Sequence, residues 1–202
     1  MNDVTDRKDY YRSWVEKVQA ENDAFEAASE GEKRVIIAKD VLAHLNGGVL
    51  RPAHKYGSFI VYCRPGDSLR DAIVDEGISC AACARGGIVF STIMRRNRVK
   101  GPHMRGSSMV VEFPKRMMCD IEAAFECCSG IGWEYESLPS GLMNIWMRAS
   151  ERYCRAHHIE LDRFRLEAIM NWIIDHEGEF SLVDFLNEKV DYFIKEQENK
   201  KP

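Results

Sequence analysis

Residues 162–178 read DRFRLEAIMNWIIDHEG. Leu166, Ile169, Met170, Ile173 and Ile174 recur at intervals of three and four, the spacing that gathers side chains on one face of an α-helix. Asp162 is placed to cap the start and Gly178 to close the end. No strand period fits this run, so the fold is read outward from a helix.

Downstream, Ser181-Leu-Val-Asp184 is a capping box, in which a serine side chain and an acidic residue three positions on satisfy the first free backbone N–H groups. It opens a last helix with Phe185, Leu186, Val190, Phe193 and Ile194 inward, and the charged tail 196–202 frays. Upstream, Leu142, Ile145, Trp146, Ala149 and Tyr153 mark another helix. Before that, Met117, Ile121, Phe125 and Cys128 line one that begins near Pro114 and stops at Gly130. Ser68-Leu-Arg-Asp71 caps a short helix ending at Gly77, and Ser79 is taken as the cap of a helix through Met94. Ile37, Val41 and Leu45 repeat every four residues in a helix from about Glu32, stopped by Asn46-Gly47-Gly48. Residues 1–30 form an N-terminal amphipathic helix with Tyr11, Trp14, Val18 and Phe25 on its stripe, ending at Gly31. The one β-like segment is 57–63, which is β-branched and aromatic and lies between Gly57 and Pro65-Gly66. The prediction is a mainly α protein, a compact irregular helical bundle with at most a short β element around residues 57–63. Residues 31–195 form the single helical domain behind the N-terminal helix.

Composition sets outer limits. At 202 residues, with 45% hydrophobic and 30% charged, the chain has the balance of a folded domain and not of a disordered one. A net charge of -4 disfavours non-specific nucleic-acid binding, which draws its affinity from phosphate neutralisation. The 7 cysteines are odd in number, Cys127 and Cys128 are adjacent, and no framework spacing appears. With neither a signal-type apolar run in MNDVTDRKDYYRSW nor a membrane-length apolar stretch, the expectation is a reduced, cytoplasmic protein with no membrane contact.

Two segments carry chemistry. In Cys80-Ala-Ala-Cys83-Ala-Arg-Gly86-Gly87, helical spacing puts Cys80, Cys83, Ala84, Gly87 and Ser91 on one small-residue face where a second helix can approach closely. The same cysteines are half of a zinc site, which needs four ligands. Cys63, Cys119, Cys127, Cys128, Cys154 and the histidines would have to complete it, and no second C-x-x-C or H-x-x-x-H is present. A third reading makes Cys80 a reactive thiol in a helical first turn. The second segment is basic. Arg95, Arg96, Arg98, Lys100, His103 and Arg105 fall in a Gly- and Ser-containing stretch, 95–108, that reads as an exposed loop. Arginine matches phosphate through its planar fork, so these six are the candidate ligand- or partner-binding residues; the alternative is a loop whose charges pair with nearby Asp and Glu.

Other features yield to plainer readings. Gly130-Ile-Gly132 follows a helix and lacks the strand context of a dinucleotide site. His157-His158 complement a helix end, Glu122 and Glu126 share a helix face with no inward partner in view, and Trp14, Trp146 and Trp172 belong to core stripes.

Ile37-Ala-Lys-Asp-Val-Leu, Gly57-Ser-Phe, Cys80-x-x-Cys83-Ala-x-Gly86-Gly87, Ile121-Glu-Ala-Ala-Phe-Glu126 and Arg165-Leu-Glu-Ala-Ile-Met-Asn-Trp-Ile-Ile, continuing to Gly178-Glu-Phe180, together resemble a group of small proteins of bacteriophages and bacteria without an established activity. The resemblance spans roughly 33–180, and C-x-x-C-A-x-G is its most specific unit; Gly87 stands where a small Ala is expected. It implies a compact helical fold and a phage origin, and it carries over no catalytic residue. No complete catalytic constellation is present. The functional expectation is therefore a non-enzymatic binding protein that modulates a host process by binding a host protein or a small phosphorylated ligand. The alternatives are a metal- or thiol-dependent enzyme centred on Cys80 and Cys83, with zinc as cofactor, and a nucleic-acid-binding protein using 95–105. Self-association through the N-terminal helix is a further expected mode of contact.

Overall fold

The stripe that decides the fold lies at its centre. Leu166, Ile169, Met170 and Ile173 are wholly buried on a helix, α8 (Leu161–Asp175). The structure is a computed structural model that describes residues 3–53, 68–97, 112–127 and 140–198. Ahead of α8 come α1 (Val4–Ala20), α2 (Asn22–Ala27), α3 (Glu30–Asn46), β1 (Leu50–Pro52), α4 (Leu69–Glu76), β2 (Cys80–Ala82), α5 (Ala84–Arg96), α6 (Lys115–Glu126) and α7 (Ser140–His157); α9 (Leu182–Glu198) follows it. Helix α8 packs on α3, α6, α7 and β1, and α5 lies against α3 and α6. The mainly α prediction holds.

Local signals explain most boundaries. Ser68 accepts from the Asp71 N–H at 3.1 Å and opens α4, which Gly77 closes in the left-handed conformation. Ser29 and Glu32 form a full capping box, so α3 starts at Glu30. Gly31 is therefore not a stop but part of the first turn of α3, and the N-terminal helix instead breaks at Glu21. Gly31 is used for contact: a Cβ there would stand 2.7 Å from the Glu177 carbonyl oxygen. Opposite it, Gly178 has φ +88, a conformation only glycine adopts cheaply. Arg34 ties the same crossing, its Nε donating to the Gly178 carbonyl at 2.6 Å and its Nη1 to the Glu112 carbonyl at 3.1 Å. Tyr11, Trp14, Val18 and Phe25 are all buried in the common core, so α1 and α2 pack on the body of their own chain.

The helix expected from Ser79 and the inward face expected on α7 are corrected. The strand expected at 57–63 lies outside the described residues. The sheet that is described is β1 paired in parallel with β2, in the register Leu50↔Cys80, Arg51↔Ala81, Pro52↔Ala82. Cys80 is thus extended and α5 begins only at Ala84, because backbone pairing with a distant segment outweighs local helical spacing. On α7 the inward face is Met143, Trp146, Ser150 and Cys154, while Ile145 is 45% exposed. Ser150 is inside because the buried Arg165 needs acceptors, and its guanidinium donates to Ser150 Oγ at 3.1 Å and to the Phe125 carbonyl at 3.4 Å. Helix α6 ends at Glu126, capped by Cys127 in the left-handed conformation; the predicted stop at Gly130 lies outside the described residues.

Candidate functional site

The basic segment opens inside the core. Arg95 and Arg96 form the last turn of α5 and not the start of an exposed loop. The Arg95 side chain is 3% exposed and binds Asp40 with both Nε and Nη2, the latter at 2.9 Å, and Glu21 at 3.3 Å. Burial works against its charge, but the hydrogen bonds and charges of Asp40 and Glu21 outweigh it and hold the guanidinium pKa above its ordinary value. Arg96 pairs with Glu112, and both arginines lie over the Phe25 ring, at 5.1 and 5.3 Å. Their acidic partners come from α3, from the α1–α2 junction and from the residues ahead of α6. For these two residues, the pairing alternative read in the sequence is the one observed. Arg98, Lys100, His103 and Arg105 lie outside the described residues.

Beside this cluster, His44 is fully buried within 4.3 Å of the Trp14 ring centre and shares a 3.0 Å hydrogen bond between its Nδ1 and the Tyr10 hydroxyl. Burial first, then the charges of Arg95 and Lys17, lower its pKa to about 3. It is a neutral core histidine.

At the other end of α5 the two cysteines part company. Cys80, wholly buried in β2, has its pKa raised to about 12 by burial and then by Cys83. The alternative that put Cys80 in a helical first turn is overturned, since the residue lies in β2. Cys83 is the N-cap of α5, is 2% exposed, and makes no capping hydrogen bond with its side chain. Packing of α6 on α5 brings Glu122 and Glu126 to it: the sulfur and one oxygen of each carboxylate all lie within 4.8 Å of one another. Glu122 does have an inward partner that the sequence left unseen, because Arg85 Nη1 reaches its Oε2 at 3.2 Å. Its other oxygen, Oε1, is sealed from solvent with no hydrogen-bond partner. Cys83 at the N-cap of α5, and Ala84, Gly87 and Ser91 along it, are all buried, with Cys80 outside that helix.

A third feature was not legible as a site. Between α7, α8 and α9 lies an open cleft of about 430 Å³. Trp146, Tyr153, Phe164 and Phe193 form its wall, with ring centres of Tyr153 and Phe164 5.2 Å apart and of Tyr153 and Phe193 5.8 Å apart. Tyr192 stands on its edge, 53% exposed, and the rim mixes Glu188 and Asp191 with Lys189 and Lys195. Phe164 and Tyr192 fall off the apolar stripes of their helices, which is the one sequence signal that these aromatics exceed what the core needs. His157 and His158 are both exposed at the end of α7, and His157 stacks on Tyr153 at 4.2 Å.

Compared with protein-family models, with curated proteins and with solved structures, the chain matches none. No helix among the described residues is long and apolar enough to cross a membrane.

Proposed function

We propose that the protein is a non-enzymatic binding protein, phage-encoded, that modulates a host process by holding a segment of a host protein in the α7–α8–α9 cleft. The observation that carries this reading is the aromatic wall with half-exposed Tyr192 at its edge. Apolar aromatic surface inside a polar rim is the anatomy of protein interfaces, where tyrosine and tryptophan contribute a disproportionate share of the affinity. The rim charges are two of each sign, Glu188 and Asp191 against Lys189 and Lys195, so it offers no net attraction to an anion. It suits an apolar side chain flanked by charges of both signs. A small phosphorylated ligand would instead fall to Arg98, Lys100, His103 and Arg105.

The test is capture from host lysate with the wild-type chain and with Tyr192→Ala as parallel baits, alongside a thermal-shift screen with nucleotides. A host protein held in stoichiometric amount by the wild type and released by Tyr192→Ala, with both baits melting at the same temperature, is the expected result. Equal retention by both baits removes the cleft from the reading. A chain that retains nothing and is shifted by no nucleotide ends it.

A further inference from the structure

We propose that Cys83, Glu122 and Glu126 bind a divalent transition-metal ion of the zinc class, a role separate from the α7–α8–α9 cleft. Three donor atoms of the right kinds converge from two helices, within 4.8 Å of one another. One sulfur and two carboxylate oxygens suit zinc or cobalt, whereas calcium and magnesium take six or more oxygen ligands. In a tetrahedral zinc site with metal–ligand distances of about 2.0–2.3 Å, neighbouring ligand atoms stand roughly 3.3–3.6 Å apart, so the group has at most about an ångström and a half to close. Glu126 is half-buried, the least buried of the three.

A second observation points to the same ion. Glu122 is only 8% exposed, and its Oε1 is buried without a partner although Arg85 holds Oε2. A charged oxygen left in this state costs stability, and coordination to a cation removes the cost. Arg85 then acts as a positioning residue, holding the Glu122 carboxylate in place through its hydrogen bond to Oε2. Three protein ligands leave one coordination position for water or a further side chain, the pattern of an accessible and not a closed structural site. Binding exchanges the Cys83 S–H proton for the metal, so affinity falls as the pH is lowered.

The experiment is titration of the metal-free full chain with Co(II), read by absorption. The expected result is a sulfur-to-cobalt charge-transfer band in the near ultraviolet that saturates at one ion per chain and is displaced by zinc. Cys83→Ser should abolish the band, and Glu122→Gln, which preserves shape, should weaken binding by at least about ten-fold. Cys80→Ala should leave both unchanged. No band at any ratio, a band that survives Cys83→Ser, loss of the band in Cys80→Ala, or wild-type affinity in Glu122→Gln each overturns the site. Should Cys83→Ser fail to fold, the wild-type titration and Glu122→Gln still decide it.

Discussion

The two ends of α5 treat buried charge in opposite ways. At the C-terminal end, Arg95 and Arg96 reach acidic partners from three other parts of the chain and close the core around them. At the N-terminal end, Arg85 satisfies one oxygen of Glu122, a residue grouped with Cys83 and Glu126, and leaves the other sealed without a partner. Ion pairs of the first kind hold a helix in place, and their arginines are spent on that task. In the second, Glu122 Oε1 has coordinating capacity left over. The first two arginines of a basic run on paper therefore became architecture, while a pair of glutamates read there as a plain helix face became the better candidate for binding an ion.

The largest effect expected of this contrast is at the C-terminal end. Asp40→Ala leaves Arg95 buried with only the half-exposed Glu21, and removing one partner of a buried pair typically costs about 3–5 kcal/mol. Chemical denaturation should show a loss in that range. Replacing both partners, as Asp40→Leu with Arg95→Met, should recover most of it, because a well-packed apolar pair can stand in for a buried ion pair. If the double variant is as unstable as the single one, the arginine is not held by Asp40 in the way described.

A smaller effect follows from His44, which packs on α1 and α5 near that cluster. Its folded pKa of about 3 is below its ordinary 6.5, so the unfolded chain takes up the proton first. The associated stability is complete above about pH 6.5 and declines as the pH falls toward 3, at up to about 1.4 kcal/mol per pH unit. Between pH 6.5 and 5 the loss should be roughly 1.6 kcal/mol. Burial raises the pKa of Asp40 against the pull of Arg95, which acts in the opposite sense at the acid end. The difference between wild type and His44→Gln therefore reads the histidine, and parallel stability curves for the two would show that His44 does not titrate this way.

Which of these features the sequence could announce depends on how local their causes are. The stripe of α8 and the caps Ser68/Asp71 and Ser181/Asp184 are written within a few residues of one another, and all were legible. The β2 strand was not, because Cys80 is extended only by virtue of Leu50 across the ladder. Arg95 finds Asp40 at a separation of 55 residues, and no spacing rule reaches that far. On α7 the buried polar Ser150 disguised the true face, since the acceptor it offers is for an arginine on another helix. Glu122 and Glu126 were visible as an i, i+4 pair, but the face they share could be assigned to α5 and Cys83 only once the helices had been packed.

The smallest expected effect tests the N-terminal end of α5 directly. Gly87 lies one turn beyond Cys83, where a Cβ would meet Leu50 Cδ2 at 3.4 Å and Val41 Cγ1 at 3.5 Å, both ordinary contacts. Nothing in that geometry requires a glycine, and a glycine in a helix interior costs roughly 0.5–1 kcal/mol relative to alanine. Gly87→Ala should therefore stabilise the chain by about that much, raising the melting temperature by roughly 2–4 °C per kcal/mol for a chain of this size. Gly178→Ala, at φ +88 and against the Gly31 backbone, should do the reverse. If Gly87→Ala instead lowers the melting temperature, the helix needs the bare backbone at this point, and close approach, not the glutamate group beside it, is what the small residues of this segment serve.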